Sequence, residues 1–487
     1  LYDIHSGDVS PIARTDAHSH SARSEPRRTP RSTMASPVVA RAPAASFGAH
    51  SLASSRRVGS RRALRGDVRR RSPSERRVSH LTVVSDGKKV VFVGGTGRVG
   101  SSAAAALLKQ EPGASIVLAG RSDASFAAAV ERHPSLRSAA FARCDSADPA
   151  SLASAIQGAD LVVHSAGPFQ GGGDECAVLN AAIDAKVPYL DVCDDAEYAK
   201  KCKSRSPEAA AAGVPCVTTG GIYPGVSNLM AAEMIDQNRA SIEDAGGESD
   251  GEVEYVLYNY FCAGSGGVGD TILATSYMLC GEDVVCWDKG EKVVTRPATQ
   301  RKVVDFGKKC GKREVFLYNL PEVASAREVW GAETVKARFG TSPGLWNGAM
   351  ALMAGLVPKE TLLNKETART LATFTAPIVR AVDAIVGERT AIRVDVKLKD
   401  GALAGSIYNH PKLSEAVGDA TAAFVCAMLR GETDPGVWYP EEPGAVKDRS
   451  RVLEAASAGC SNFEMNKAAW MLESKPINLG FGMYLEL

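Results

Sequence analysis

The chain has 487 residues, too many for one ordinary core, and its 45% hydrophobic and 23% charged composition is that of a globular protein. Its net charge of +1 averages two unlike regions, since residues 1–85 hold 16 Arg, no Lys and six acidic side chains, leaving 41 basic against 50 acidic groups in the rest. That acidic remainder argues against a nucleic-acid surface, eleven Cys without a C-x-x-C pair against a zinc ribbon or disulfide framework, and the lack of 18 consecutive apolar residues against a membrane span.

Residues 1–33 begin with Leu1 and contain no Met, and read as translated upstream sequence rather than protein. From Met34 to residue 85 the chain is rich in Ser, Ala and Arg and nearly free of acids, the composition of a transit peptide. The MAS opening and the Ser content favour a chloroplast over a mitochondrion. A disordered basic arm that binds an acidic partner is the alternative.

Between residues 86 and 221 short apolar runs alternate with alanine-rich helical patterns. The runs are VVFVGG (90–95), SIVLAGR (115–121), AAFARCD (139–145), LVVHSAG (161–167), PYLDVCD (188–194) and VPCVTTG (214–220). Continuous apolar strands separated by helices predict a parallel sheet covered on both faces: an α/β, Rossmann-like, doubly wound domain. After Gly221 the rhythm becomes alternating, as in EVEYVLYNYF (252–261), KVVTRP (292–297), REVFLYN (313–319) and TAIRVDVKL (390–398). Helical stretches at 270–279, 343–356 and 414–431 separate these runs. The pattern predicts an α+β domain over 222–443 with a mainly antiparallel sheet, its last helices returning to the first domain. Residues 444–487 are expected to be a C-terminal tail.

Gly95-x-Gly97-x-x-Gly100 follows the first strand and opens a helix. In that context Gly95 permits the tight turn, Gly97 lets backbone approach a pyrophosphate, and Gly100 lets helix pack close to strand. The turn Gly95, Thr96, Gly97, Arg98, Val99 and Gly100 is therefore a dinucleotide site, the anion resting on the helix N-terminus. The second strand ends in AGRS (119–122), where an acid would take a ribose 2′-hydroxyl. Arg121, with Ser122 beside it, suits a 2′-phosphate instead and favours NADP. Asp123, one residue further on, keeps NAD as the alternative. Asp145 ends the third strand on the adenine side, and Ser165, Ala166, Gly167 and Pro168 leave the fourth strand at the ligand crevice.

By these segments the chain resembles the saccharopine dehydrogenase-like oxidoreductases. VVFVGGTGRVG (90–100), HSAGPFQ (164–170), YLDVCDD (189–195) and GGIYPGVSN (220–228) occur in the family's order, and GETDPGVWYPEE (431–442) resembles its last stretch. The resemblance covers residues 88 to 443 and is strongest to plastid members of unknown substrate. It implies a nicotinamide-binding domain, a second domain that closes over the site and often dimerises, and hydride transfer between NADP and a small substrate at a carbon bearing nitrogen. The residues themselves leave the chemistry less determined. Tyr223 and Asp194 are the acid–base candidates, with no metal. Asp191, Asp194 and Asp195 read equally well as helix caps. His164 reads as buried structure, and His410 is a further alternative. Arg301, Arg338 and Arg393 are available as carboxylate clamps, though each reads better as solvated surface. A non-catalytic NADP-sensing protein and an enoyl-type reductase of the same fold are the competing functions.

Overall fold

The computed structural model describes residues 87–485 apart from 171–174, 245, 247–250, 265–269, 475–476 and 481–482. The two N-terminal segments expected upstream of the first domain lie outside the described residues. Val78–Leu487 form one compact unit.

The nucleotide-binding part runs β1 (Lys89–Val93), α1 (Arg98–Gln110), β2 (Ser115–Gly120), α2 (Asp123–Arg132), β3 (Ala140–Arg143), α3 (Pro149–Ile156), β4 (Leu161–His164) and α4 (Ala177–Asp184). It continues with β5 (Tyr189–Asp191), α5 (Ala196–Ser204), α6 (Ser206–Ala212) and β6 (Pro215–Val217). Every predicted strand is present. Side chains alternate along β1: Val90 and Phe92 enter one core, Val91 and Val93 the other. Both faces are thus dry, which is why the strand reads as an unbroken apolar run. Burying Phe92 completely is worth about 2–3 kcal/mol.

The second part begins with α7 (Val226–Asp244), β7 (Val253–Ala263), α8 (Asp270–Leu279), β8 (Val284–Asp288), β9 (Glu291–Thr295), β10 (Thr299–Asp305) and β11 (Lys312–Leu317). Then come α9 (Pro321–Trp330), β12 (Thr334–Ser342), α10 (Leu345–Leu356), α11 (Lys359–Leu363), α12 (Lys365–Val386), β13 (Arg389–Leu398), β14 (Leu403–His410) and α13 (Leu413–Leu429). The chain closes with β15 (Gly436–Trp438), α14 (Arg449–Ala456) and β16 (Asn462–Lys467), followed by short terminal elements. The path of the large sheet is β10-β11-β12-β7-β13-β14-β16, with β8 and β9 attached beside β12. All its pairings are antiparallel except β12 with β7.

Two boundaries differ from the sequence expectation. β15 leaves the second part and adds a parallel seventh strand beside β6, so residues 436–438 belong to the first sheet. Residues 444–487 are no tail. α14 buries Val452 and Leu453 in the shared core, and β16 pairs antiparallel with β14. The sequence hides this because β15 has three residues and NFEMNK alternates weakly. α13 returns to α1, as expected, at a contact close enough that a Cβ on Gly418 would lie 2.8 Å from the Ser102 carbonyl oxygen. One hydrophobic core therefore runs from Phe92 through α1, α7 and α13 to Tyr258 and Tyr260 on β7. Among the described residues no helix is long and apolar enough to cross a membrane.

Candidate functional site

The loop between β1 and α1 turns at Gly94, not Gly95. Gly94 has φ +77, the left-handed region, and a Cβ there would stand 2.6 Å from the Ala166 nitrogen. Gly95 is buried under the turn, its N–H donating to the Phe92 and Ala119 carbonyls at 2.9 and 3.2 Å. Gly100 lets α1 close onto the β4 exit, where a Cβ would meet Ser165 Oγ at 2.5 Å. Gly97 is exposed, and a Cβ there would meet only the Gly94 carbonyl oxygen, at 3.1 Å. The first intrahelical acceptor is the Gly97 carbonyl, which takes the Ser101 N–H. The N–H groups of Arg98, Val99 and Gly100 consequently have no helical acceptor, no side chain caps them, and no acid sits in the first turn. This cradle fits a dinucleotide pyrophosphate. Gly97→Ala is expected to weaken NADPH binding at least tenfold with an unchanged melting temperature; equal affinity in isothermal titration would show that the loop is only a turn.

At the end of β2, Thr96 packs over Gly120, and Arg121 and Ser122 are exposed. Ser122 Oγ accepts the Ser125 N–H at 3.3 Å as the cap of α2, which leaves its hydroxyl proton free to donate. Asp123 is taken by an ion pair with Arg143, whereas no described carboxylate pairs with Arg121. The acid that kept NAD open is thus neutralised, and Arg121 remains for a phosphate. Asp145 is exposed beyond β3, where it accepts the Ala147 N–H at 3.1 Å in a local turn. Ser165 is tied to the Val93 carbonyl through its N–H at 2.8 Å and its hydroxyl at 3.1 Å. The half-buried Ala166 and exposed Gly167 follow, with Gly167–Pro168 cis. Arg121→Ala is expected to lower NADPH affinity tenfold or more while sparing NADH, as measured by fluorescence titration.

The three aspartates after β5 separate into three roles. Asp191 is fully buried and accepts from Thr219 N (2.7 Å), Cys193 N (3.0 Å), Tyr189 Oη (3.0 Å) and Thr218 Oγ1 (3.1 Å). It joins β5 to the β6 exit. Asp195 caps α5, accepting the Tyr198 N–H at 2.6 Å. Asp194 is left for the cleft. Burial raises its carboxyl to about 6; the Gln170 amide facing it opposes that shift and the Asp195 charge adds to it. Gln170 is itself buried, held by a 3.3 Å hydrogen bond that Thr275 Oγ1 donates to its Oε1.

Tyr223 leaves β6 in the loop that carries the cis Tyr223–Pro224 bond and stacks on Tyr260 of the second sheet at 4.7 Å. Burial pushes its phenol far above the ordinary value; Cys262, Glu322 and Asp194 add to the shift, and Thr390 of β13 faces the hydroxyl and opposes it. Glu282, hydrogen-bonded by Asn319 Nδ2 at 3.0 Å, and Glu322, hydrogen-bonded by Tyr260 Oη at 2.7 Å, are each raised to about 7 by burial. Asp194 and Tyr223 each keep some exposed surface.

Residues 90–217 match the family model of the saccharopine dehydrogenase NADP binding domain. The match spans 128 of the 487 residues, and that stretch is similar to this domain. The saccharopine dehydrogenase (L-Glu forming) of Saccharomyces cerevisiae, solved in its apo form, is 15% identical. Its match covers 78% of this chain and all of that one, with a TM-score of 0.53, which places this chain in the saccharopine dehydrogenase fold. Vestitone reductase from alfalfa is 24% identical over 21% of this chain and 35% of its own, with a TM-score of 0.19. No curated protein sequence matches the chain.

Within this saccharopine dehydrogenase-like frame the other sequence candidates fall outside the cleft. His164 is buried with Nδ1 3.1 Å from Tyr189 Oη and its ring against Phe169. His410 accepts the Lys412 N–H at 3.0 Å, at the entry to α13. Arg301 pairs with Glu314 on the surface. Arg338 and Arg393 are not solvated as expected. They are 7% and 8% exposed, flank the buried Asn259 from the neighbouring strands β12 and β13, and Arg393 pairs with Asp395 at 2.9 Å. Tyr260, whose side chain alternates to the opposite face from Asn259, is the one that meets Tyr223, so none of these arginines clamps a substrate there. Gln170, Glu282, Asn319, Glu322 and Thr390 were missed. They come from four separated segments, Asn319 and Glu322 sharing one, and no spacing in the sequence signals that they meet.

Proposed function

We propose that the chain is an NADP-dependent oxidoreductase that transfers hydride to or from a carbon bearing nitrogen, acting on a substrate without paired carboxylates. The carrying observation is that Asp194 and Tyr223, from the exits of β5 and β6, are acted on by acidic groups, Asp195 on the first and Glu322 on the second, with Asp194 acting in turn on Glu282, while Lys365 acts on Asp195. Such surroundings favour a protonated imine or amine over a dicarboxylate, which would require guanidinium or ammonium partners.

Bound NADPH would supply the hydride. The chain's own residues hold the cofactor on the α1 cradle, orient the substrate nitrogen, and move one proton. A group titrating near the working pH transfers protons best, and Asp194, at about 6, is matched to that task. Its carboxylic acid protonates the C=N nitrogen in the reductive direction, and the carboxylate left behind pairs with the cationic nitrogen as the carbon accepts hydride. Tyr223 keeps its proton at any ordinary pH and can donate a hydrogen bond from Oη. Loss of NADPH absorbance should appear with cyclic or N-alkyl imines. Faster consumption with imines that carry two carboxylates would reject the substrate class. NADPH binding without turnover on any imine or enoyl substrate would leave a cofactor-sensing protein. The Ser-, Ala- and Arg-rich stretch after Met34 supports a plastid location.

A further inference from the structure

The buried arginines that miss the cleft collect on the opposite face of the second sheet. Side chains alternate along a strand, so Lys336 and Arg338 of β12, Asn259 of β7, and Arg393 and Asp395 of β13 share that outer face. Lys302 of β10 joins them. Val304, two residues on, packs with Phe261 of β7, which is itself two residues from Asn259. The charges of Arg338, Arg393 and Lys336 all act on Lys302. The two carboxylates that act on this cluster, Asp395 and Asp288, are already taken. Arg393 holds Asp395 at 2.9 Å, and Lys336 holds Asp288 of β8 at 2.8 Å. Arg338 is 7% exposed, yet among the described residues no carboxylate pairs with it and no oxygen accepts from its Nε. A guanidinium keeps its charge at any ordinary pH, and burying it without a partner is costly. Beside it Asn259 is fully buried, with neither Nδ2 nor Oδ1 hydrogen-bonded. Four cations against two carboxylates leave two positive charges unmatched, which is the charge that a phosphate group neutralises.

We propose that this outer face binds the phosphate group of a small phosphate ester, held by Arg338 and Lys302 with Asn259 at its floor. Arg338 offers a planar fork of donors, and Lys302 an exposed ammonium at the rim. Asn259 supplies a donor for a phosphate oxygen and an acceptor for a protonated one. Arg393 and Lys336 are neutralised by their aspartates and serve as walls. The site is separate from the cofactor and its cleft, because Tyr260, next in sequence to Asn259, points through the sheet the other way to Tyr223. Arg338 was legible in the sequence as an available clamp. The register of β12 sets which face it clamps.

The test is titration calorimetry of the full chain saturated with NADPH, which fills the α1 turn, using inorganic phosphate and succinate at constant ionic strength. The parent is expected to bind one phosphate. A charged hydrogen bond to phosphate is worth roughly tenfold to a hundredfold in affinity. Arg338→Met should lose that factor and Lys302→Met roughly tenfold, with the NADPH affinity of both equal to the parent's. In phosphate-free buffer Arg338→Met should melt no lower than the parent, because it leaves no unpaired charge buried. Added phosphate should raise the melting temperature of the parent but not of Arg338→Met. Absence of phosphate binding by the parent overturns the proposal, and so does binding that neither variant weakens. Tighter binding of succinate than of phosphate overturns the assignment to a phosphate. Should Arg338→Met not fold, Lys302→Met, altered at an exposed side chain, decides by the same comparison. If the parent does not bind NADPH, phosphate titration of the unliganded chain still judges the site, since the α1 turn does not depend on Arg338 or Lys302.

Discussion

Replacing Asp194 with Asn is expected to lower imine reduction by roughly 10²–10⁴-fold while NADPH affinity barely moves. The substitution keeps the shape and the contact with Gln170 but removes the proton. The sign of the pH dependence follows from the raised carboxyl: below about 6 Asp194 is protonated and can act as an acid, and above about 6 it is ionised. The parent's kcat/KM for reduction should therefore fall as pH rises through about 6, and for the reverse oxidation it should rise over the same range. Both limbs should vanish in Asp194→Asn. Tyr223→Phe keeps the stack on Tyr260 and removes only the hydroxyl, so it should cost about 10²-fold in kcat through lost orientation and leave the limb near 6 in place. A pH limb that survives in Asp194→Asn would move the acid–base role to another group, Glu282 and Glu322, each raised to about 7, being the alternatives.

The second large effect is on stability. Gly225→Ala should destabilise the chain by roughly 3–5 kcal/mol, measured by urea unfolding, because two penalties coincide. Gly225 has φ +128, a conformation unfavourable to any L side chain, and its Cβ would collide with the Gly221 backbone. The loop cannot open to admit it. Gly221 N–H donates to the Pro224 carbonyl at 3.1 Å, Val226 N–H to the Gly221 carbonyl at 3.0 Å, and Gly225 N–H to Asn228 Oδ1 at 2.9 Å. Gly387→Ala is the matched control: its φ is +73 and nothing lies within 4 Å of the added methyl, so it should cost only about 1 kcal/mol. Similar losses in the two variants would mean that the loop relaxes around the methyl group.

What the amino-acid sequence determined by itself was the nucleotide-binding half. β1 to β6 are short apolar runs with a dry environment on both faces, so local composition and spacing suffice to find them, and a glycine turn between strand and helix has few uses. Even there the left-handed residue is Gly94, since it is the approach of Ala166 from the β4 loop that excludes a side chain. In the second half the strands are half-wet or interrupted. β10 carries Gln300, Arg301 and Lys302, and β14 contains Gly405, Ser406 and His410. Their pairing comes from distant strands, which a periodicity cannot register. The cleft lies at the same limit. Asp191, Asp194 and Asp195 are equivalent as text. Tertiary structure makes Asp191 a strand tie, Asp195 a helix cap and Asp194 a titrating carboxyl, because four donors converge on Asp191, a helix begins at the residue after Asp195, and Asp194 faces Gln170.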